Sequence, residues 1–150
     1  MRLKKWLKNR TEPEKTAEQT NELPPAELKD TIKGNIDQLK ELLGDPLDFS
    51  YRIMDIADSH EQFGLVFIEG KVDKSAVSAM VLRNISEVKK SNHPGTGSDL
   101  LNYLKDAIIS VTRADIKDNM DEIMRCLLEG GTILFVNGTK EALVLFIPSI

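Results

Sequence analysis

The stretch Asn119–Ile147, NMDEIMRCLLEGG followed by TILFVNGTKEALVLFI, decides how the chain is read. It carries signals for a capped helix, a glycine stop, a strand, a tight turn and a second strand. Asn119 can accept from the backbone N–H groups of a first turn, and Glu122, three residues on, can reach back to it. Asp121 and Glu122 also stand where the helix dipole favours negative charge. Met120, Ile123, Met124, Leu127 and Leu128 recur at steps of three and four, so one helix face is apolar. Gly130 and Gly131 can adopt positive φ and end the helix. Ile133 to Val136 and Ala142 to Ile147 are unbroken apolar runs, which suit strands covered on both faces. Asn137-Gly138 between them predicts a hairpin. Two registers remain open. A two-residue turn pairs Val136 with Thr139, whereas a four-residue loop pairs it with Glu141, and the choice exchanges the faces of the returning strand. A hairpin this apolar must pack on the rest of the chain.

The chain is 150 residues long, enough for one domain with a real core. Aromatic residues make up only 5%, so that core must consist mainly of Leu, Ile, Val and Met. The single Cys126 excludes an internal disulfide and reads as a small core hydrophobe. Net charge is −4, unevenly spread. Residues 1–10, MRLKKWLKNR, hold five of the 20 Lys and Arg and no acid, which leaves 15 bases against 24 acids, or −9, on the rest. An acidic body behind a short basic head argues against a nucleic-acid binder. No stretch approaches the ~20 apolar residues of a membrane span, and the N-terminus lacks the apolar core of a signal peptide. Arg2, Lys4, Lys5, Trp6, Lys8 and Arg10 are the candidates for contact with an anionic membrane surface. Residues 11–25, polar and proline-bearing, read as a disordered linker that closes a leader and linker region, 1–25.

From there the periodicity predicts a helix over 26–43, opened by Pro25 and closed by Gly44 and Pro46. Phe49, Tyr51 and Ile53 alternate with polar residues, a half-buried strand running to about Ala57. A polar loop, 58–62, leads into the apolar strand Phe63–Ile68, and the two strands form an antiparallel hairpin. Asp73 caps a helix over 74–88. A polar loop follows over 89–97. Ser98 then caps a short helix with Leu100, Leu101 and Leu104. Ala107–Thr112 reads as a β-branched strand extending towards Ile116. The fold class is α/β or α+β, with a mixed sheet of about five strands packed with about four helices over residues 26–150. Leu65–Gly70 and Ile133–Gly138 are similar apolar strands ending in x-Gly.

No catalytic triad, metal-ligand spacing or complete phosphate-binding fingerprint is present, so the chain reads as non-enzymatic and needs no cofactor. His60 and His93 stand in separate loops. His93-Pro94-Gly95-Thr96-Gly97-Ser98 leads into a helix N-terminus whose N–H groups can cradle an anion. His60, Ser91, His93, Thr96 and Ser98 are therefore the candidate ligand-binding residues.

Several pieces of the chain resemble the N-terminal soluble domain of GerA-family spore germination receptor A subunits. They are the basic leader and linker; the helix ending Leu42-Leu43-Gly44-Asp45, with Phe49 to Ile56 after it; Leu65-Val66-Phe67-Ile68-Glu69-Gly70-Lys71-Val72-Asp73-Lys74; and Ile123 to Gly138. The resemblance covers about residues 28–147, and its motifs are structural. It implies a subunit of a nutrient-germinant receptor at the inner membrane of a bacterial spore, with the soluble region on the spore-core side. Family A subunits continue into more soluble sequence and then several membrane spans, so the chain is expected to correspond to the opening part of one. The implied partners are other receptor subunits, the rest of the receptor polypeptide and the membrane surface. Binding of a nutrient germinant is the alternative function, and a phosphate-handling enzyme working through Gly95–Ser98 is a third.

Overall fold

The computed structural model describes residues 27–44, 48–56, 60–85, 95–108 and 113–148. The elements are α1 (Ile32–Leu43), β1 (Phe49–Asp55), β2 (Gln62–Ile68), α2 (Lys74–Asn84), α3 (Gly97–Ile108), β3 (Arg113–Lys117), α4 (Met120–Leu128), β4 (Thr132–Val136) and β5 (Ala142–Phe146). They form the expected α/β fold, a five-stranded sheet in the order β1-β2-β4-β5-β3. Every pairing is antiparallel, where a mixed sheet was expected. The pairs β1-β2 and β4-β5 are hairpins, and the connections from β2 to β4 and from β3 to β5 also return the chain in the opposite direction.

Side chains alternate across the strands and feed two cores. Val66, Ile68, Ile133, Phe135 and Val144 pack with Ile32, Ile36 and Leu39 of α1 and Met120, Ile123 and Leu127 of α4. Phe63, Leu65, Leu134, Val136, Leu143 and Leu145 pack with Val77 of α2 and Leu100, Leu101, Leu104 and Ile108 of α3. The central strands are thus covered on both faces, as their unbroken apolar runs require.

The α4 cap, stop and apolar face behave as read except at Leu128, which is exposed. Asn119 Oδ1 accepts from Glu122 N at 3.1 Å. Gly131 N donates to Cys126 O and Gly130 N to Leu127 O, with Gly130 at φ 99°, which is a Schellman stop. The hairpin takes the register of the longer loop, with Phe135 opposite Ala142 and Thr132 opposite Leu145.

Four readings need correction. The first helix starts at Ile32, capped by Thr31, and not near residue 26. Asn35, fully buried, explains the delay. Its Oδ1 accepts from Lys29 N and its Nδ2 donates to Lys29 O, holding the preceding backbone extended. Glu27 then bridges Asn119 across the molecule. Second, Ala107 and Ile108 belong to α3, and the strand is Arg113–Lys117; residues 109–112 lie outside the described residues. The spacing Leu101, Leu104, Ile108 continues the helical stripe and outweighs β-propensity. Third, Ser98 lies inside α3 and does not cap it. Fourth, the alternation in β1 does not mark a buried face. Tyr51 and Ile53 are 47% and 43% exposed, because α1 rests on β2 at Gly64 and reaches the outer strand only in part, through Phe49 and Lys40. α2 is observed over Lys74–Asn84, with Asp73 Oδ1 accepting from Ala76 N; residues 86–88 of the predicted helix lie outside the described residues.

Asn35→Leu is expected to destabilise the domain by about 2 kcal/mol, since it orphans both the donor and the acceptor of Lys29. Urea unfolding followed by circular dichroism measures this. A change below about 0.5 kcal/mol, the usual range of surface substitutions, would contradict the role given to Asn35.

Candidate functional site

The alternating chain direction gathers three helix N-termini, those of α1, α3 and α4, at one end of the sheet. The β4–β5 loop stands among them. Asn137 Oδ1 accepts from Ile32 N at 2.8 Å, and Gly138 N donates to Asp30 O at 2.8 Å, so the loop docks on the start of α1. On the other face of the sheet Ser98 Oγ lies 2.9 Å from Thr139 Oγ1 and donates to Glu141 Oε1 at 3.0 Å. Thr139 Oγ1 also donates to Glu141 Oε1, at 3.4 Å. Lys140 Nζ pairs with Glu27 Oε2 at 3.3 Å, both ends exposed. One hairpin tip therefore ties the starts of α1 and α3 together, and Glu27 carries the link on to Asn119 at the start of α4.

This arrangement demands a glycine at position 97. Gly97 has φ +59°, and a Cβ there would stand 2.7 Å from Gly138 O. Gly97→Ala is expected to cost about 2 kcal/mol through left-handed backbone strain and that contact. Thermal unfolding checks it; an unchanged midpoint would mean the α3–hairpin contact is absent in solution.

Of the sequence candidates, Thr96 and Ser98 come to this end of the molecule. Thr96 is exposed, and its carbonyl accepts from Leu100 N. His60 is exposed on the β1–β2 connection, at the same end of the sheet because β2 begins beside the end of β4. It is not drawn into the Ser98–Thr139–Glu141 cluster. Ser91 and His93 lie outside the described residues, as do Arg2, Lys4, Lys5, Trp6, Lys8 and Arg10. The residues that complete the cluster, Asn137, Thr139 and Glu141, were not legible as partners. Asn137 reads as a turn residue, and nothing local indicates a helix 105 positions away.

The chemistry available is limited. Two hydroxyls, Ser98 and Thr139, donate to the one carboxylate of Glu141. The α3 N-terminus has Asp99 in its first turn and Glu141 hydrogen-bonded to Ser98, so the protein's own acids already meet its dipole. Burial pushes the Cys126 thiol up, against a smaller opposing effect of Lys117, so it is a poor thiolate at neutral pH. Among the described residues no three His, Cys, Asp or Glu side chains group as metal ligands.

A three-layer domain in which Ser98, at the start of α3, is engaged in internal hydrogen bonds is the class of protein these features define. The family model of the Bacillus/Clostridium GerA spore germination protein matches residues 37–149, and the chain belongs to that family. It is 24% identical over 119 residues to the spore germination protein GerLA of Bacillus cereus, covering 79% of this chain and 23% of that protein. Its fold matches the crystal structure of the N-terminal domain of the A subunit of the Bacillus megaterium spore germinant receptor GerK3. The TM-score is 0.72 at 22% identity, over 83% of this chain and 49% of that one. The chain thus spans about a quarter of the curated relative and about half of the solved domain. No helix among the described residues is long and apolar enough to cross a membrane.

Proposed function

We propose that the chain is a non-enzymatic assembly module of a germinant receptor A subunit, acting in nutrient-triggered germination by binding other receptor subunits. One observation carries this reading above the others. The polar groups at the start of α3, where phosphate chemistry was most plausible, hydrogen-bond to the protein's own hairpin. Membership of the GerA family supplies the context. In this reading residues 26–150 act as one unit on the spore-core side of the inner membrane, and Arg2, Lys4, Lys5, Trp6, Lys8 and Arg10 hold the leader against anionic lipid. The exposed charges of α1 and of α2, among them Lys33, Asp37, Lys74 and Arg83, supply contact surfaces on the two faces of the sheet. Charge reversals there are the test, made in the receptor subunit in its spore. Loss of the other subunits from the purified receptor supports the proposal, and an intact receptor with normal germination sinks it.

The second reading is a germinant-binding domain whose walls are the 58–62 and 91–97 connections, with His60, Ser91, His93, Thr96 and Ser98 as contacts. It is favoured by the position of His60 and Thr96 at one end of the sheet. Ligand-observed NMR with amino acids and sugars at millimolar concentration tests it, and silence would remove it.

A further inference from the structure

The two edges of the sheet are unalike. β3 is five residues long and carries Arg113, Asp115 and Lys117 at alternate positions, a pattern that discourages the addition of another strand. β1 is seven residues long and pairs with β2 at every position, with no bulge, proline or glycine. Tyr51 and Ile53 point to the α1 face, opposite Val66 and Gly64, and are nearly half exposed. Ser50 and Arg52 lie on the other face, and Ser50 Oγ donates to Glu69 Oε2 at 2.7 Å. Glu69 is exposed, and its carboxyl is held below the usual range by the Ser50 hydroxyl first and the Lys74 charge second.

We propose that the β1 edge is an intermolecular surface whose occupant is β1 of a second copy of this chain, antiparallel about a two-fold axis at Tyr51. The pattern of the strand selects that partner and that register. With the axis at Tyr51, the two Tyr51 rings face one another. Phe49 of each copy faces Ile53 of the other, an aromatic against a β-branched residue, which is a favourable cross-strand pair. On the opposite face Arg52 of each copy meets Ser50 of the other, and with it the Glu69 carboxylate. The symmetry makes every one of these contacts twice. Moving the axis to Arg52 sets two guanidinium groups against each other, and moving it to Ile53 sets Tyr51 against Asp55. Moving it to Ser50 sets Arg52 against Asp48 and Phe49 against Tyr51 but carries Ile53 past the start of the partner strand, whereas the Tyr51 register keeps every residue from Phe49 to Ile53 paired within both strands. One element opposes it: Lys40 Nζ lies 5.5 Å from the Tyr51 ring centroid, so the axis brings two ammonium groups to one apolar patch. The association is consequently weak and concentration-dependent. It stands on the chemistry of the edge and not on the receptor reading above.

Sedimentation velocity of the full 150-residue chain over a concentration series tests the proposal. The expected result is a shift from monomer to dimer. Arg52→Glu or Glu69→Arg alone weakens the dimer roughly tenfold, because two pairs become repulsive together. The double reversal Arg52→Glu/Glu69→Arg restores it. In a Cys126→Ser background, Tyr51→Cys oxidises to a disulfide-linked dimer and Asp115→Cys on the β3 edge does not. A chain that stays monomeric at every concentration overturns the proposal. So does a dimer indifferent to the single reversals, unrestored by the double one, or not cross-linked through position 51.

Discussion

Phe135→Ala is expected to lower the unfolding free energy by about 3–5 kcal/mol, the range for removing a fully buried aromatic ring. Phe135 has no exposed surface and stands on β4, the middle strand, in the core beneath α1 and α4. Its neighbours across the two ladders are Gly64 and Ala142, which have no side chain long enough to move into the vacated space. The site therefore collapses poorly, and the cost falls towards the upper end of that range. In urea the midpoint should fall with an unchanged slope, the sign of a native-state loss rather than an altered unfolded state. A loss under about 1.5 kcal/mol would mean that the core does not close around this ring.

Gly64→Val tests the same place from the opposite side. A Cβ at Gly64 would stand 2.6 Å from Ile32 Cγ2, deep inside normal contact distance, and 3.5 Å from Ile36 Cδ1. The first turn of α1 must therefore lift. That movement also strains the bond from Ile32 N to Asn137 Oδ1 and the bond from Gly138 N to Asp30 O, so the hairpin tip loosens with the helix. Overpacking of this kind costs about 3 kcal/mol. Ile32→Ala costs stability on its own, but it should relieve the clash when combined with Gly64→Val. The double variant should be more stable than the sum of the two losses predicts, by about 1 kcal/mol or more. Strict additivity would show that α1 does not rest on Gly64.

These two residues also show what could be read from the sequence and what could not. The apolar run holding Phe135 announced a strand buried on both faces, because burial on both faces is written locally in consecutive side chains. The start, cap and stop of α4 were equally local: Asn119 to Glu122 is one turn, and Gly130 follows directly. Gly64 gave no such signal. Its reason is Ile32, which arrives through tertiary packing. The start of α1 was misplaced for the same cause, since Asn35 looked like an ordinary polar position on a helix and only its bonds to Lys29 show why the helix waits.

The β1 strand was legible as a strand but not as an edge. Alternating apolar residues mark a face, yet whether that face is covered depends on where α1 lies. At the candidate site, Thr96 and Ser98 were found by their position before a helix, while Thr139 and Glu141 were not. Their pairing with Ser98 spans more than 40 residues and follows from the direction of the strands, which the sequence does not state.

We propose that this domain holds receptor subunits together and does no chemistry at the end of its sheet. The most direct measurement compares two sets of variants in the receptor subunit in spores, scoring the other subunits recovered with it and the response to nutrient. One set reverses the exposed charges Lys33, Asp37 and Arg83; the other replaces Thr96 and His60 with alanine. The charge reversals are expected to lose the other subunits and abolish germination together, while the alanine variants retain both. Loss of the nutrient response in the alanine set, with every subunit still recovered, would contradict it and move the function to the loops.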